Sequence, residues 1–518
     1  MIFHQWETEL HFKLIKLYNM AKKLFVFGIG GTGSRVIKSL VMLLASGMKP
    51  GDFDEVIPLL IDPHKELPEF KNCNLLVSLY SNIHNKLYSD KSDIKDGFFR
   101  INLHSLTNPS SETEKLGESI KSDISFDETS SEVFRKFIGL SEIEDNHPIT
   151  ADFLSLLFSD KNYNQPLSFG FKGNPHMGSI ALNAIIGGSA YNSFISAFNP
   201  NDRIFIISSM FGGTGAAGFP LLLHSFRDKD EMKKQAIRDC KIGSLSVMPY
   251  FKLGDPGQTS DIDSNDFMTK TKSALTYYTR EKFKELYNAI YYIADPDGQT
   301  TEYVNDEQKQ ENKAHIVELL GALSIFHFAK ENSFKKGEIQ EYCLNEDNQE
   351  VNFKNIGDSS KKMVAENLTS LYLLSKLLPV TKKNARTLPY CKINGFNTDF
   401  FNTDFFTGNE TGLEKFFENY FNPWLIELDS NQRGFSPFDL KVDNNFNFLI
   451  NGYNTDEQFL DGIFKQPVDM SHLQLKMAQM TIDSEIKKID ENNKNYRYIQ
   501  MCWKASKDFI ISKIKMEK

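Results

Sequence analysis

The sequence predicts an α/β protein built on a mainly parallel sheet with helices on both faces. Three observations carry this expectation. Short continuous apolar runs recur along the first 300 residues, the pattern of strands buried on both faces. Segments of helical periodicity alternate with them, the rhythm of βαβ units. Glycine-rich loops fall where an apolar run gives way to a periodic segment.

Residues 24–29, LFVFGI, read as the first buried strand, and 34–46, SRVIKSLVMLLAS, as a helix stopped by Gly47 and Pro50. VIPLLI at 56–61 is the second strand and ends at Asp62. Residues 70 to about 165 change texture: Ser, Asn, Asp and Glu are frequent, and 111–132 is polar and acidic. That stretch reads as a solvated, partly helical insertion, with a protein-partner role as the other reading. The rhythm resumes with a helix over 179–194, a strand over 202–210, a helix over 217–228 and a strand over 241–251. A helical segment follows over 265–288, and 289–298 is a strand running into a turn. Residues 312–331 are apolar around nearly the whole helical circumference, which places that helix in the middle of the molecule. Beyond 335 the sequence is rich in turns, Asn and Phe to about 465, then helical. The implied units are 20–311, the central helix 312–334, and 335–518.

The chain has 518 residues, enough for two or three domains. A net charge of −9 and a pI near 5.8 argue against a dedicated nucleic-acid binder. Cys73, Cys240, Cys343, Cys391 and Cys502 are scattered, odd in number and without a CxxC pair. This fits free thiols in a reducing compartment and gives no zinc site. The eleven His show no HExxH. No window approaches 18 uninterrupted apolar residues, and the first 20 residues lack the apolar core of a signal peptide. MAKKLFVFGIGG from Met20 reads like a natural start. The expected location is cytoplasmic, with no membrane span.

Three loops carry candidate chemistry. The first is Gly28-Ile29-Gly30-Gly31-Thr32-Gly33-Ser34-Arg35, between a strand and a helix. Glycines let phosphate approach backbone N–H groups at the positive end of a helix. Alone, this loop is also the GxGxxG of a dinucleotide site with Asp62 as the ribose acid, or a plain tight turn. The second is Gly212-Gly213-Thr214-Gly215-Ala216-Ala217-Gly218, again between strand and helix. Two such cradles on one parallel sheet suggest one polyphosphate gripped from two sides. The third is Gly170-Phe171-Lys172-Gly173-Asn174-Pro175-His176-Met177-Gly178, which alone is equally a Gly/Pro turn.

Taken in order, these motifs resemble the tubulin/FtsZ superfamily. MFGGTGAAGFP (210–220) is similar to its signature loop, GGGTG followed by Ser or Thr and Gly. GIGGTGSR is similar to the FtsZ first loop, and GFKGNPHMG to the γ-phosphate loop GAGxNPxxG. LLIDPHKE (59–66) resembles the next strand with its acidic loop, YYIADPDG the ribose-contacting loop, and NKAHIVELLGALSIF the central helix. Six elements thus follow the family order over residues 24–330.

The resemblance implies GTP or GDP with Mg²⁺. Gly28, Gly30, Gly31, Thr32, Ser34, Arg35, Lys172, Gly173, Asn174, Gly212, Gly213, Thr214, Gly215 and Ala216 would surround the phosphates. Asp62 would sit near the metal, directly or through water. Asp295 or Asp297 would approach the ribose, and Asn312 and His315 the base. It also implies a second α+β domain with a small mixed sheet beside the central helix, and head-to-tail assembly into filaments.

The departures are specific. Phe211 stands in place of the first signature glycine, Ala216 in place of the hydroxyl and Ala217 in place of the last glycine. More than 100 residues separate Asp62 from the third loop. FAKENSFKKGEIQEY (328–342) has no Asp where the family carries its hydrolytic acidic loop, leaving Glu331 and Glu338 as substitutes. Weak or absent hydrolysis is therefore expected. The other readings are a non-polymerising nucleotide-sensing module, with partners bound through 70–165 or the C-terminal region, and a dinucleotide-dependent enzyme.

Overall fold

The structure, a computed structural model, describes residues 22–88, 96–106, 125–126, 132–171, 173–228, 235–253, 266–280, 283, 285–295, 302–303, 312–335, 337–343, 351–356, 358–409, 412–441, 445–453 and 468–514. Its strands are β1 (Lys23–Ile29), β2 (Glu55–Ile61), β3 (Asn102–Leu103), β4 (Arg203–Ser209), β5 (Lys241–Val247), β6 (Lys252–Leu253), β7 (Ala289–Ile293), β8 (Glu302–Tyr303) and β9 (Gln340–Cys343). Seven form one parallel sheet in the order β3-β2-β1-β4-β5-β7-β9, while β6 and β8 pair with each other.

Side chains on successive strand residues point to opposite faces, and the sequence fills both. Leu24, Val26, Phe205, Ile207, Leu245 and Val247 join one apolar core, the first face. Phe25, Phe27, Ile29, Ile204, Ile206 and Ile242 join the other, the second face. Continuous apolar runs are what such a two-sided sheet requires.

The helices of eight residues or more are α1 (Gly30–Ala45), α2 (Pro68–Tyr88), α3 (Pro148–Leu157), α4 (Pro175–Leu182), α5 (Ser189–Ala197), α6 (Gly213–Arg227) and α7 (Asp266–Tyr278), then α8 (Ile316–Lys330), α9 (Asp358–Asn384), α10 (Asn422–Ser430), α11 (Met470–Met480) and α12 (Lys494–Phe509). The first face is covered by α1, α2, α8 and the helices from α9 onward. The second is covered by α4, α5 and α6. β1 reaches β2 through α1 over the first face, and β4 reaches β5 through α6 over the second. The strand order therefore reverses between β1 and β4, and in open α/β sheets ligands bind at the carboxyl ends of the strands at such a point.

α8 is buried as its sequence predicts, with twelve of its fifteen residues inside. His315 caps it: Nδ1 accepts the Val317 N–H at 3.1 Å, and Glu318 accepts the His315 N–H at 3.1 Å. A Cβ on Gly321 would lie 2.7 Å from Leu245 and 3.3 Å from Val36, so the glycine lets α8 press against β5 and α1. The connection β7–α8–β9 moves away from β4 over the first face, whereas β4–α6–β5 moves the same way over the second. The two have opposite hands, although parallel crossovers share one hand in about 98% of cases. α8 packs on β5 and β7 within the first-face core.

Several expectations are corrected. α1 starts at Gly30, four residues before the periodic segment, so the glycine loop is itself the first helical turn. The 70–165 region does not begin as a solvated insertion: α2 buries Phe70, Leu76, Val77, Tyr80, Ile83 and Leu87. Most of the acidic stretch 111–132 lies outside the described residues. The helix over 179–194 is two helices, broken at Gly187 (φ +93°) and Gly188. The C-terminal mixed sheet is not found among the described residues. β9 joins the main sheet instead, and α9 to α12 bury Leu368, Leu371, Trp424, Tyr498 and Phe509 in the first-face core. No helix among the described residues is long and apolar enough to cross a membrane.

Candidate functional site

The three glycine loops meet at the switch point. A Cβ on Gly30 (φ +72°) would lie 3.6 Å from the Thr214 Cβ and 3.9 Å from the Gly215 nitrogen. One on Gly213 would lie 3.1 Å from the backbone nitrogens of both Gly173 and Asn174. The first loop thus touches the second, and the second touches the third, backbone against backbone. Below them, a Cβ on Gly33 would collide with the Gly28 backbone, which seats α1 tightly on β1.

Three helices start here: α1 at Gly30, α6 at Gly213 and α4 at Pro175. None has an acidic residue in its first turn, and no side chain caps α1 or α6. The contacts between the loops bring the three helix starts side by side, and leading N–H groups with the positive end of a dipole favour a bound anion. α4 is capped by Asn174, whose Oδ1 accepts the His176 and Met177 N–H groups at 3.1 and 3.2 Å.

The family departures have structural causes. Phe211 is buried and turns into the first-face core, its ring 4.7 Å from Phe267 and 5.5 Å from Phe251. It ties the second loop to α7 and also lines the cavity beside Gly212. Ala217 packs α6 against Gly178 of α4. Ala216, Gly212, Gly173 and Asn174 border a cavity of about 760 Å³ on the side of the second loop away from the first, closed by Lys270 and Tyr277 of α7. Lys172 lies outside the described residues. Lys270 stands over the third loop instead, its Nζ 2.8 Å from a Cβ placed on Gly173 (φ +75°).

Arg35 anchors a buried charged network beneath the first loop. Its Nη1 donates to Glu69 at 2.8 Å, Nε to Glu318 at 2.7 Å and Nη2 to the Tyr250 hydroxyl at 2.9 Å. Tyr250 and Tyr303 also donate to Glu318, at 3.0 and 3.2 Å, and the guanidinium sits 5.0 Å from the Tyr303 ring centre. Burial pushes Glu318 up from its ordinary value, and the Arg35 charge opposes that shift. Thr32 and Ser34 are buried alongside. Arg35 therefore directs its donors to α2, α8 and Tyr250 after β5, below the loop where the sequence placed it. Glu69 and Glu318 cannot be found from sequence as partners of Arg35, since they lie 34 and 283 residues from it and nothing local ties either to that arginine.

Asp62 is buried at the end of β2, where Oδ1 accepts the His64 N–H at 3.0 Å. Asn312 donates to Glu69 from its backbone and its amide, at 3.2 and 3.3 Å, which places it beside the first loop. Asp295, after β7, pairs with Arg433 at 2.9 Å. His315 Nε2 is 3.7 Å from Asp295, outside hydrogen-bond range. Burial, helped by Arg433 and Arg35, pulls the His315 pKa down to about 3. The ring is therefore neutral, with its proton on Nε2 because Nδ1 accepts the cap. His315 is fully enclosed and Asn312 is engaged by Glu69. Asp297 lies outside the described residues.

The segment 427–433 closes over the start of α8. Glu427 accepts the Ala314 N–H at 3.2 Å and pairs with Lys38 at 2.9 Å. Asn431 donates to the Ala314 carbonyl at 3.2 Å, and Lys313 to the Ser430 carbonyl at 3.0 Å.

Glu331 and Glu338 lie at the opposite, amino end of the strands. Glu331 accepts the Ser333 N–H at 2.6 Å, and its carbonyl binds Arg203 at the start of β4. Glu338 is exposed and pairs with Lys335 at 3.5 Å, just before β9. Among the described residues, no three His, Cys, Asp or Glu side chains are grouped to hold a metal. The described cysteines are free thiols. The sequence matches no protein-family model and no curated protein.

Proposed function

We propose that the chain binds a guanine nucleotide with Mg²⁺ across its three glycine loops, as a member of the tubulin/FtsZ superfamily that its motifs resemble. The observation that carries the reading is the meeting of three loops and three helix starts, two of them uncapped, at the switch point of a parallel sheet. Bare backbone N–H groups at adjoining helix starts suit a polyphosphate. Gly30, Gly31, Thr32, Gly173, Asn174 and Gly212 to Ala216 would hold it. Asp62 is the protein's contribution near the metal, and with no carboxylate cage among the described residues the remaining ligands would be phosphate oxygens and water, as Mg²⁺ prefers. Asp295 lies on the ribose side, beside Arg433. Guanine in preference to adenine rests on the resemblance alone.

The same reading includes head-to-tail assembly in the cytoplasm. The loops lie at one end of the sheet, and the segment after α8 lies at the other. Stacking copies would set Glu331 and Glu338 of one against the loops of the next, and a heterologous contact that does not close propagates as a filament. The segment 328–342 carries no Asp to set against those loops, so hydrolysis is weak or absent. The missing acidic loop also favours a second reading, a nucleotide-sensing module that does not polymerise. A dinucleotide enzyme shares the order of the central strands. It has no need of the third loop against the second, or of a central helix returning over the first face.

Mass spectrometry of the ligand released from purified protein tests the binding, and is expected to return GTP or GDP. NAD or AMP would overturn it, as would failure to bind fluorescent GTP. Light scattering and pelleting with GTP separate filament from monomer.

A further inference from the structure

α3 begins at Pro148 and buries none of its residues. Ile149, Phe153, Leu156 and Leu157 are 84, 59, 83 and 51% exposed. Their spacing of four, seven and eight residues puts them on one side of the helix. The other side anchors the element: Leu154 packs on the second-face core, and Phe158 is buried with its ring 5.0 Å from Phe134. The apolar stripe is therefore held outward by a helix that is itself fixed.

Its surroundings are acidic. Glu142, Glu144 and Asp145 lie on the short helix just before α3, Asp152 on α3 and Asp160 just after it, against Lys161 alone among the basic residues of 140–163. An outward apolar stripe marks an interaction surface. The acidic rim selects what covers it. Anionic lipid is repelled, since membrane-lying helices carry Lys and Arg on their polar face. A second copy would bring the same carboxylates together.

We propose that α3 and its acidic rim dock a basic amphipathic helix of a partner protein, with Leu-type residues on the stripe and Lys or Arg over the carboxylates. The docking unit borders the third loop, where Gln165 donates to the Gly170 carbonyl at 2.8 Å. The inference does not depend on what the glycine loops bind.

The test uses the full chain and a fluorescent helical peptide of alternating Leu and Lys heptads, with a Leu/Glu peptide as control, followed by anisotropy. The Lys peptide is expected to bind and to weaken as salt is raised. Binding should weaken about tenfold or more in the triple variant Ile149→Ser, Phe153→Ser, Leu156→Ser, which keeps every carboxylate. Because these side chains are exposed, the variant should melt like the parent, and Glu142→Lys with Asp145→Lys provides a second, independent loss. Equal binding by parent and triple variant overturns the proposal, as does equal binding of the Glu peptide. Dimers of the parent that the variant abolishes would reassign the face to a second copy, and parent-only flotation with anionic vesicles would reassign it to a membrane. Binding that appears only after removal of residues 1–21 would make this chain its own occupant.

Discussion

The two ends of the central sheet are finished in different ways. At the amino end, side chains close off the backbone. Arg203 donates to the carbonyls of Phe328, Ala329 and Glu331 at 2.9, 3.2 and 2.7 Å. Lys241 reaches the Phe334 carbonyl at 2.9 Å, and Asp202 accepts the N–H groups of Lys23 and Asn199 at 2.8 and 2.7 Å. At the carboxyl end, α1 and α6 start without side-chain caps, and the charged groups are sunk below the glycines. A backbone group left unpaired costs about 1–3 kcal/mol when buried, so uncapped starts persist where water or a ligand can reach them. One end is closed by side chains, and the other presents bare backbone at its helix starts.

That contrast breaks most sharply at Arg35. Arg35→Met would leave Glu69 and Glu318 buried without their cation, and breaking a buried ion set from one side costs about 3–5 kcal/mol. Urea unfolding measures it; a loss below about 1 kcal/mol would mean the network does not support the loop.

His315 comes next. Its ring stays neutral in the folded chain down to about pH 3, while an unfolded histidine titrates near 6.5. Between those values the unfolded chain binds the extra proton. Stability present above pH 6.5 is therefore lost as pH falls toward 3, by about 4–5 kcal/mol. Asp202, raised to about 6 by burial, acts with the opposite sign, since its stabilisation is full below its ordinary value and is lost as pH rises through 6. The informative quantity is the difference between parent and His315→Asn, which keeps a good cap and should flatten the acid limb.

At the amino end, Arg203→Ala should cost roughly 2 kcal/mol of stability and leave nucleotide affinity unchanged, which calorimetry and fluorescent GTP titration check together. Gly213→Ala should do the reverse. Its Cβ would push the third loop from the second, weakening nucleotide binding about tenfold, or about 1.4 kcal/mol, with little change in melting. If both substitutions act alike, the contrast between the ends is wrong.

Much of this site could be read from sequence because it is made of backbone. Glycine runs between strand and helix mark it directly, and the three loops meet. What holds it could not be read. Arg35, Glu69 and Glu318 pair across the fold, and only Glu318 leaves a local trace, as the third residue after the His315 cap. The start of α1 was misplaced because glycines hide helical periodicity. α2 and α9 were missed although Phe70, Cys73, Leu76, Tyr80, Ile83 and Leu87, and likewise Val364, Leu368, Leu371, Leu374 and Leu378, repeat at helical spacing. In both cases the polar or turn-rich sequence around the helix set the reading.

The first-face core draws residues from Leu24 to Ile514, whereas the buried residues of the second-face core end at Ile290, with Tyr292 and Ile339 packed on its edge. On the ribosome, at about 5–20 residues per second, β1 therefore emerges tens of seconds before α12. During that interval the second face can close, while α1, α2 and then α8 still lack the C-terminal helices that cover them. Emergence of α12, not of the glycine loops, is the step that completes this core. The nascent chain spends its synthesis as a half-clad sheet, and chaperones that shield apolar surface have their longest opportunity on that side.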